Sequence, residues 1–233
     1  MQLLDVRSPQ DREASITKSA AACRRGDIVC LPTESVYALG TDPFRMSGVA
    51  TLRRVKGRPE GSAIPILVPS ATTVAGLARL VPQPARDLME AFWPGQLTLL
   101  LAGQPTLAWD MPAAAPLTVR MPVHPVTLAL LRETGPLAVL GANGPGMSGP
   151  TRMDEVAALF GDVVVLGLDV GTLTGDEVST VVDCRTPVPS IARHGAIDVA
   201  ALRTVVPDLV DPAEDSMDDE TEHRTQERAS DQP

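Results

Sequence analysis

Residues 8–40 read SPQDREASITKSAAACRRGDIVCLPTESVYALG, and the fold class turns on this stretch. Ser8 followed by Pro9 is a helix start. A short hydroxyl side chain caps free backbone N–H groups, and proline suits the first turn because its missing N–H has no partner there anyway. The spacing predicts a helix over 10–25, stopped by Gly26. Residues 27–31 are then a short apolar strand. Residues 32–40, PTESVYALG, break it with proline, hydroxyls and glycine, in the manner of a strand-to-helix turn.

The same alternation runs outward from this stretch. Further helices are expected over 48–55 with Ser47 as cap, from Ser70 to about 80, over 84–92 and over 125–133. Thr151 with Asp154 and Glu155 resembles a capping box on a helix to 160, and Asp198 caps a last helix to about 206. Strands are expected over 63–68, 97–102, 117–121, 137–141, 163–168, 179–183 and 190–193. Residues 171–178, GTLTGDEV, read as a mobile loop. Strands and helices mixed irregularly through one continuous core predict a single α/β domain with a twisted mixed sheet.

Composition narrows the function classes. Of 233 residues, 44% are hydrophobic and 21% charged, which excludes a wholly disordered chain, a collagen and a coiled coil. No apolar run approaches the roughly 18 residues of a membrane span. The start, MQLLDVRSPQDRE, lacks the pattern of a secretory signal, and three cysteines without metal-like spacing suit reduced thiols, so a cytoplasmic location is expected. The net charge of −9 is lopsided: residues 211–233 hold nine acids and two arginines. The expected organisation is therefore a body over 1–210 and an acidic tail over 211–233, too poor in apolar residues to offset the entropy of ordering.

No nucleotide-binding glycine fingerprint, Ser-His-Asp set, HExxH or CxxC is present. Polar residues instead gather at expected strand ends beside proline or glycine. Thr33, Glu34 and Ser35 follow the first strand. Lys56-Gly57-Arg58-Pro59 sets two cations round a glycine past a helix, as a polyphosphate would need. Arg120 ends an apolar strand in VRMPVHP, poised to clamp a carboxylate or to form a buried ion pair. GANGPG, residues 141–146, is a turn whose backbone can approach an anion. WPGQLT, residues 93–98, reads as packing and a turn. STVVD, residues 179–183, and Arg193-His194-Gly195 complete the series.

In this order the segments resemble the YrdC-like family of threonylcarbamoyl-AMP synthases, whose members carry PT[DE]TVYGLG, KxRP, WPGPLT, RxPxHP, SANxSG, STxxD and an RPG-like end. The resemblance covers roughly residues 10–207 and matches the short form of the family. It implies a twisted sheet with flanking helices round a basic concave cavity. It also implies formation of threonylcarbamoyl-AMP and pyrophosphate from L-threonine, bicarbonate and ATP, for modification of adenosine 37 in tRNA. By motif, Ser35, Arg120, Ser179 and the Gly141 position would hold threonine. Lys56, Arg58, Ser62, Asn143, Thr151 and Arg193 would hold ATP, with Mg²⁺ arriving on the nucleotide and not on the protein. No side chain is expected to act as acid, base or nucleophile; positioning and charge neutralisation carry the rate. A downstream tRNA threonylcarbamoyltransferase is the implied partner, an RNA contact is compatible with a basic cavity, and no membrane partner is implied.

Five positions depart from the family pattern. Ala38 replaces a glycine, Gly141 the first serine of SAN, Pro145 the serine of NxSG, Ala63 the last proline of KxRPxxxP, and Pro116 a threonine found in some members. These departures motivate an alternative: a catalytically weakened paralogue of the same fold that binds RNA or nucleotide.

Overall fold

The computed structural model describes residues 1–109, 115–144, 146–175 and 177–214. Its strands, in chain order, are β1 (Gln2–Asp5), β2 (Ile28–Pro32), β3 (Tyr37–Thr41), β4 (Ile66–Leu67), β5 (Leu97–Ala102), β6 (Pro116–Arg120), β7 (Leu137–Gly141), β8 (Val164–Asp169), β9 (Thr180–Asp183) and β10 (Ser190–Arg193). The helices are α1 (Pro9–Arg25), α2 (Met46–Val55), α3 (Ala71–Leu77), α4 (Gln83–Phe92), α5 (Pro125–Thr134), α6 (Met153–Phe160) and α7 (Val199–Arg203). One mixed sheet runs β1-β8-β2-β3-β7-β4-β6-β5-β9-β10, so the expected α/β architecture holds. No helix among the described residues is long and apolar enough to cross a membrane.

Helix α1 forms as its sequence dictates. Ser8 accepts from the Gln10 N–H, and Gly26 ends the helix at φ 90°, a left-handed conformation that glycine adopts without Cβ strain. Elsewhere the structure corrects the boundaries. β1 had no counterpart in the expected strands. Residues 37–41 are strand, not turn: only Thr33–Val36 breaks the chain, and β2 and β3 form an antiparallel hairpin. The strand expected over 63–68 shrinks to two residues, because Pro65 has no N–H to donate to a ladder and serves only as acceptor for Val139 N–H. The helix from Ser70 stops at Leu77, where Arg79 N–H turns to the Ala102 carbonyl. Arg152, not Thr151, takes the N-cap of α6; Glu155 accepts from the backbone N–H of both.

The two faces of the sheet are covered unequally. On one face α2, α3, α4, α6 and α7 pack Leu52, Leu77, Leu88, Val156 and Leu202 against Leu39, Ile66, Leu99, Val119 and Val182. On the other, α1 and α5 pack Ile16, Ala20, Leu130 and Leu131 against Val29, Leu31, Val139 and Leu166. These two helices lie over the β8-β2-β3-β7 part of the sheet. Among the described residues, no helix packs over the β6-β5-β9 part of the same face. Alternation decides what is left there: β5 buries Leu97, Leu99 and Leu101 in the first core and turns Thr98 to the open side, and β6 buries Leu117 and Val119 and turns Thr118 and Arg120 the same way.

Two connections reach this open face. The sole tyrosine, Tyr37, is buried and ties the hairpin to the end of β8: its hydroxyl donates to the Gly171 carbonyl at 2.8 Å and accepts from Val170 N–H at 3.0 Å. The segment expected as a mobile loop is fastened across the face. Leu173 N–H donates to Thr151, Gly175 N–H to Ser35, and the Ser35 hydroxyl to the Glu177 carbonyl. Asp211–Glu214, assigned above to the tail, pack on the body. Asp211 is buried and 3.2 Å from His194 Nε2, and Glu214 pairs with Arg203. The rest of that tail lies outside the described residues.

All three cysteines are free and buried. Burial pushes the Cys23 and Cys184 thiols up to about 12, and Cys30 upward as well. Thiolate is the reactive form, so at pH 8 all three should be protonated and shielded. Ellman's reagent is expected to find no fast-reacting thiol in the native protein and three after unfolding in guanidinium; a thiol titrating within seconds in the native state would contradict this packing.

Candidate active site

The open part of the sheet face is the floor of a cavity of about 650 Å³. Its floor residues follow from register. Leu67 of β4 lies opposite Arg120 of β6, and Thr98 of β5 opposite Val181 of β9. Ala38 of β3 lies opposite Gly141 of β7. The walls come from the Thr33–Val36 turn, the segment after β7, and the segment leading into β9.

Arg120 is the most constrained side chain in the cavity. Its Nε donates to the Gly95 carbonyl at 2.9 Å, Nη1 to Ser179 Oγ at 2.6 Å, and Nη2 to Glu34 Oε2 at 2.6 Å. Arginine carries five N–H donors, so among the described residues one on each terminal nitrogen remains. Burial pulls the guanidinium below its ordinary pKa, the Glu34 carboxylate pulls it back up, and nearby Arg193 pulls it down. Arginine ionises so far above neutrality that the group stays charged.

Of the expected threonine ligands, Ser35, Arg120, Gly141 and Ser179 all line the cavity. They are not equally available. The Ser35 hydroxyl is committed to the Glu177 carbonyl, 3.1 Å away, and Ser179 Oγ already accepts from Arg120. Gly141 is not in the left-handed region, so a side chain there meets no backbone penalty. A Cβ would stand 2.9 Å from Asn143 Oδ1. The Asn143 amide therefore fills the space that a serine at 141 would enter.

Of the expected ATP ligands, Asn143 and Arg193 line the cavity. Lys56 joins them through Asn143, donating to its backbone carbonyl and, at 2.9 Å, to its Oδ1. Burial, and secondarily Arg58, pulls the Lys56 ammonium pKa down. Arg58, Ser62 and Thr151 are not among the cavity-lining residues. Arg58 is exposed beside Lys56. Ser62 passes its carbonyl to Arg53 Nε, and its hydroxyl is buried with no partner among the described residues. Thr151 is held at its backbone by Glu155 and Leu173. Among the departures, Ala38 is on the cavity floor, Pro116 begins β6 away from the cavity, and Pro145 lies outside the described residues.

Two cavity residues, Glu177 and Thr98, and Glu34, which binds the cavity residue Arg120, escaped the sequence reading. Glu34 was quoted in its motif and given no role, although a single acid straight after a buried strand is a signal. Glu177 contributes a carboxylate whose Oε2 accepts from Gln96. Thr98 was assigned to packing, yet it is the polar member of an otherwise apolar strand. Among the described residues, His, Cys, Asp and Glu nowhere gather in a group able to hold a metal ion. Arg120 and Arg193 line the cavity and Lys56 stands beside it on Asn143, an arrangement able to grip an anion.

Comparison with known proteins follows the geometry. The Sua5/YciO/YrdC domain model, described as telomere recombination, matches residues 21–195. A Mycobacterium tuberculosis protein is 37% identical over 203 residues, 87% of this chain and 94% of its own. The Bacillus subtilis threonylcarbamoyl-AMP synthase is 35% identical over 198 residues, 83% of this chain and 57% of its own. Among solved structures, Pyrococcus abyssi Sua5 complexed with L-threonine superposes with a TM-score of 0.83 at 29% identity, over 91% of this chain and 62% of that one. Escherichia coli YciO shares the fold, with a TM-score of 0.74 at 23% identity over 86% of this chain and 98% of its own.

The turn after β10 gives a direct test of the site's packing. A Cβ at Gly195 would lie 2.4 Å from the Ser179 carbonyl carbon and 2.5 Å from Thr180 N, both backbone atoms that cannot step aside. Arg193 leans on the same Ser179, donating through Nη2 to its carbonyl at 2.8 Å. Gly195→Ala is expected to cost about 1–3 kcal/mol in a urea melt, the usual range for forced overpacking. Unchanged stability would show that the turn does not press on Ser179.

Proposed function

The chain belongs to the Sua5/YciO/YrdC family, and on that premise we propose that it is an L-threonylcarbamoyladenylate synthase, a nucleotidyltransferase that makes threonylcarbamoyl-AMP for the modification of adenosine 37 in tRNA. The observation that carries the reading is Arg120: a charged guanidinium on the floor of a large cavity, held by three protein acceptors, with one N–H left on each terminal nitrogen. Two N–H groups on one planar fork match the two oxygens of a carboxylate.

Threonine binds through that carboxylate. Its amine, once deprotonated, attacks the carbon of bicarbonate or of the CO₂ in equilibrium with it, and the hydroxide lost from bicarbonate leaves as water. The carbamate oxygen then attacks the α-phosphorus of ATP, and pyrophosphate departs with the electron pair of the broken P–O bond. The nucleotide lies toward Lys56, Asn143 and Arg193, with Arg58 at the exposed end. These cations offset the phosphate charge as it shifts to the leaving group. Mg²⁺ would come as part of the substrate, bound to ATP, and would add to the neutralisation of phosphate charge. The carbamate is itself the nucleophile, so the reaction asks the protein for geometry and charge, which this cavity has, and not for a catalytic triad. The product is an activated acyl-type donor, consumed by the enzyme that transfers the group to tRNA.

The test is pyrophosphate release from ATP, Mg²⁺ and bicarbonate with and without L-threonine, with the adenylate identified by mass. Release dependent on both threonine and bicarbonate is expected. Arg120→Ala should lower kcat/KM for threonine by about 10- to 100-fold, the equivalent of a charge-assisted contact of about 1.5–3 kcal/mol. Release that ignores threonine, or an Arg120→Ala enzyme with wild-type kcat/KM, would overturn the reading.

A further inference from the structure

We infer that Glu34 is the positioning residue that sets the enzyme's grip on the amino-acid carboxylate, acting through Arg120 and not by touching substrate. The inference rests on the threonine-binding reading of the cavity and adds to it a residue and a mechanism of selection.

Glu34 and Arg120 are 11% and 16% exposed at their side chains, so their pair is largely withdrawn from water. Both oxygens of Glu34 are in use. Oε2 accepts from Arg120 Nη2 at 2.6 Å, and Oε1 accepts from the Val123 N–H, just beyond the end of β6. The carboxylate is thus anchored to the same strand exit that carries Arg120, and its plane cannot turn without breaking one bond. Its own backbone is held in turn. Thr33 closes the hairpin onto Val36, with N–H and hydroxyl both donating to the Val36 carbonyl, and Thr127 of α5 donates to the Pro32 carbonyl. The remaining acceptors of Arg120, Gly95 O and Ser179 Oγ, hold Nε and Nη1 only. Nη2, half of the fork that must meet a carboxylate, is held among the described residues by Glu34 alone. Ser35, the hairpin residue first expected to bind threonine, spends its hydroxyl on Glu177.

Charge and positioning pull the outcome in opposite directions, which makes the sign decisive. If Glu34 mattered only as a negative charge, removing it would leave Arg120 less neutralised and draw a carboxylate more strongly. If it matters by aiming the fork, removing it weakens binding. In Glu34→Gln one of the two oxygens becomes an NH2, a donor that cannot accept, so either the Val123 N–H or Arg120 Nη2 faces another donor and loses its partner.

The experiment measures threonine binding by calorimetry in the presence of a non-hydrolysable ATP analogue, alongside pyrophosphate release, for the wild-type full chain, Glu34→Gln and Glu34→Asp. L-threonine amide, which lacks the anionic carboxylate, serves as the comparison ligand. Glu34→Gln is expected to weaken threonine at least tenfold and to raise its KM similarly. The affinity for the ATP analogue and kcat at saturating threonine should stay within threefold. The preference for threonine over its amide should shrink, a change that a merely structural role would not produce. Glu34→Asp, which keeps the charge and an acceptor pair, should recover most of that preference. A folded Glu34→Gln protein that binds threonine as tightly as wild type, or more tightly, overturns the inference. Should Glu34→Gln lose its cooperative melt, Glu34→Asp decides: a natively melting Asp variant that no longer distinguishes threonine from its amide overturns it. Failure of the wild type itself to bind threonine would instead strike the underlying reading of the cavity.

Discussion

A guanidinium taken out of bulk water has to find acceptors, and Arg120 finds them in three separate parts of the chain. Glu34 comes from the β2–β3 turn, Gly95 from the segment before β5, and Ser179 from the start of β9. None is near Arg120 in sequence. The guanidinium is satisfied only when β3, β6 and β9 have taken their places in one sheet, so assembly of the sheet and assembly of the site are one event. The same requirement gives the fork its direction. Among the described residues, three protein acceptors use three of its five donors and leave one on each terminal nitrogen.

The cavity exists because α1 and α5 are too few to cover their face of a ten-strand sheet. Alternation along β5 and β6 then puts Thr98, Thr118 and Arg120 where a helix would otherwise demand leucines. Around this floor the cations are not left to diffuse in solvent. Lys56 is moored to Asn143, and Arg193 to the Ser179 carbonyl. The Gly141–Asn143 pairing shows how one departure from the family pattern is absorbed. Without a side chain at 141, the Asn143 amide folds back beside it and keeps its bond to Lys56. What the missing hydroxyl removes from one ligand, it gives as room to another.

Much of this was legible in the sequence, because local signals and tertiary demands agree. Ser8, Pro9 and Gly26 bound α1 by capping and backbone freedom alone. The strands 137–141 and 190–193 came out to the residue, since each is flanked by glycine, proline or charge. Errors arose where one residue had two roles. Tyr37–Gly40 was read as part of a turn because it continues a run of hydroxyls and ends in glycine, yet it is buried on both sides as the partner of β2 and β7. The run 63–68 looked like a full strand because periodicity does not register that Pro65 cannot donate. Motif order singled out Arg120, Ser179, Asn143 and Arg193, which line one cavity. Glu34 was passed over because its importance lies in a bond to a residue 86 positions away. Ser62 and Thr151 were placed by motif, but in this chain their side chains do not reach the cavity wall.

The central claim is that the fork of Arg120, held by Glu34, Gly95 and Ser179, receives the carboxylate of threonine on the uncovered face of the sheet. A crystal structure of the protein with L-threonine tests it most directly. The account predicts the ligand carboxylate within hydrogen-bond distance of both Arg120 Nη1 and Nη2, with the three protein contacts of Arg120 retained. A carboxylate bound elsewhere in the cavity, or an Arg120 that lets go of Glu34 to reach it, would contradict the account.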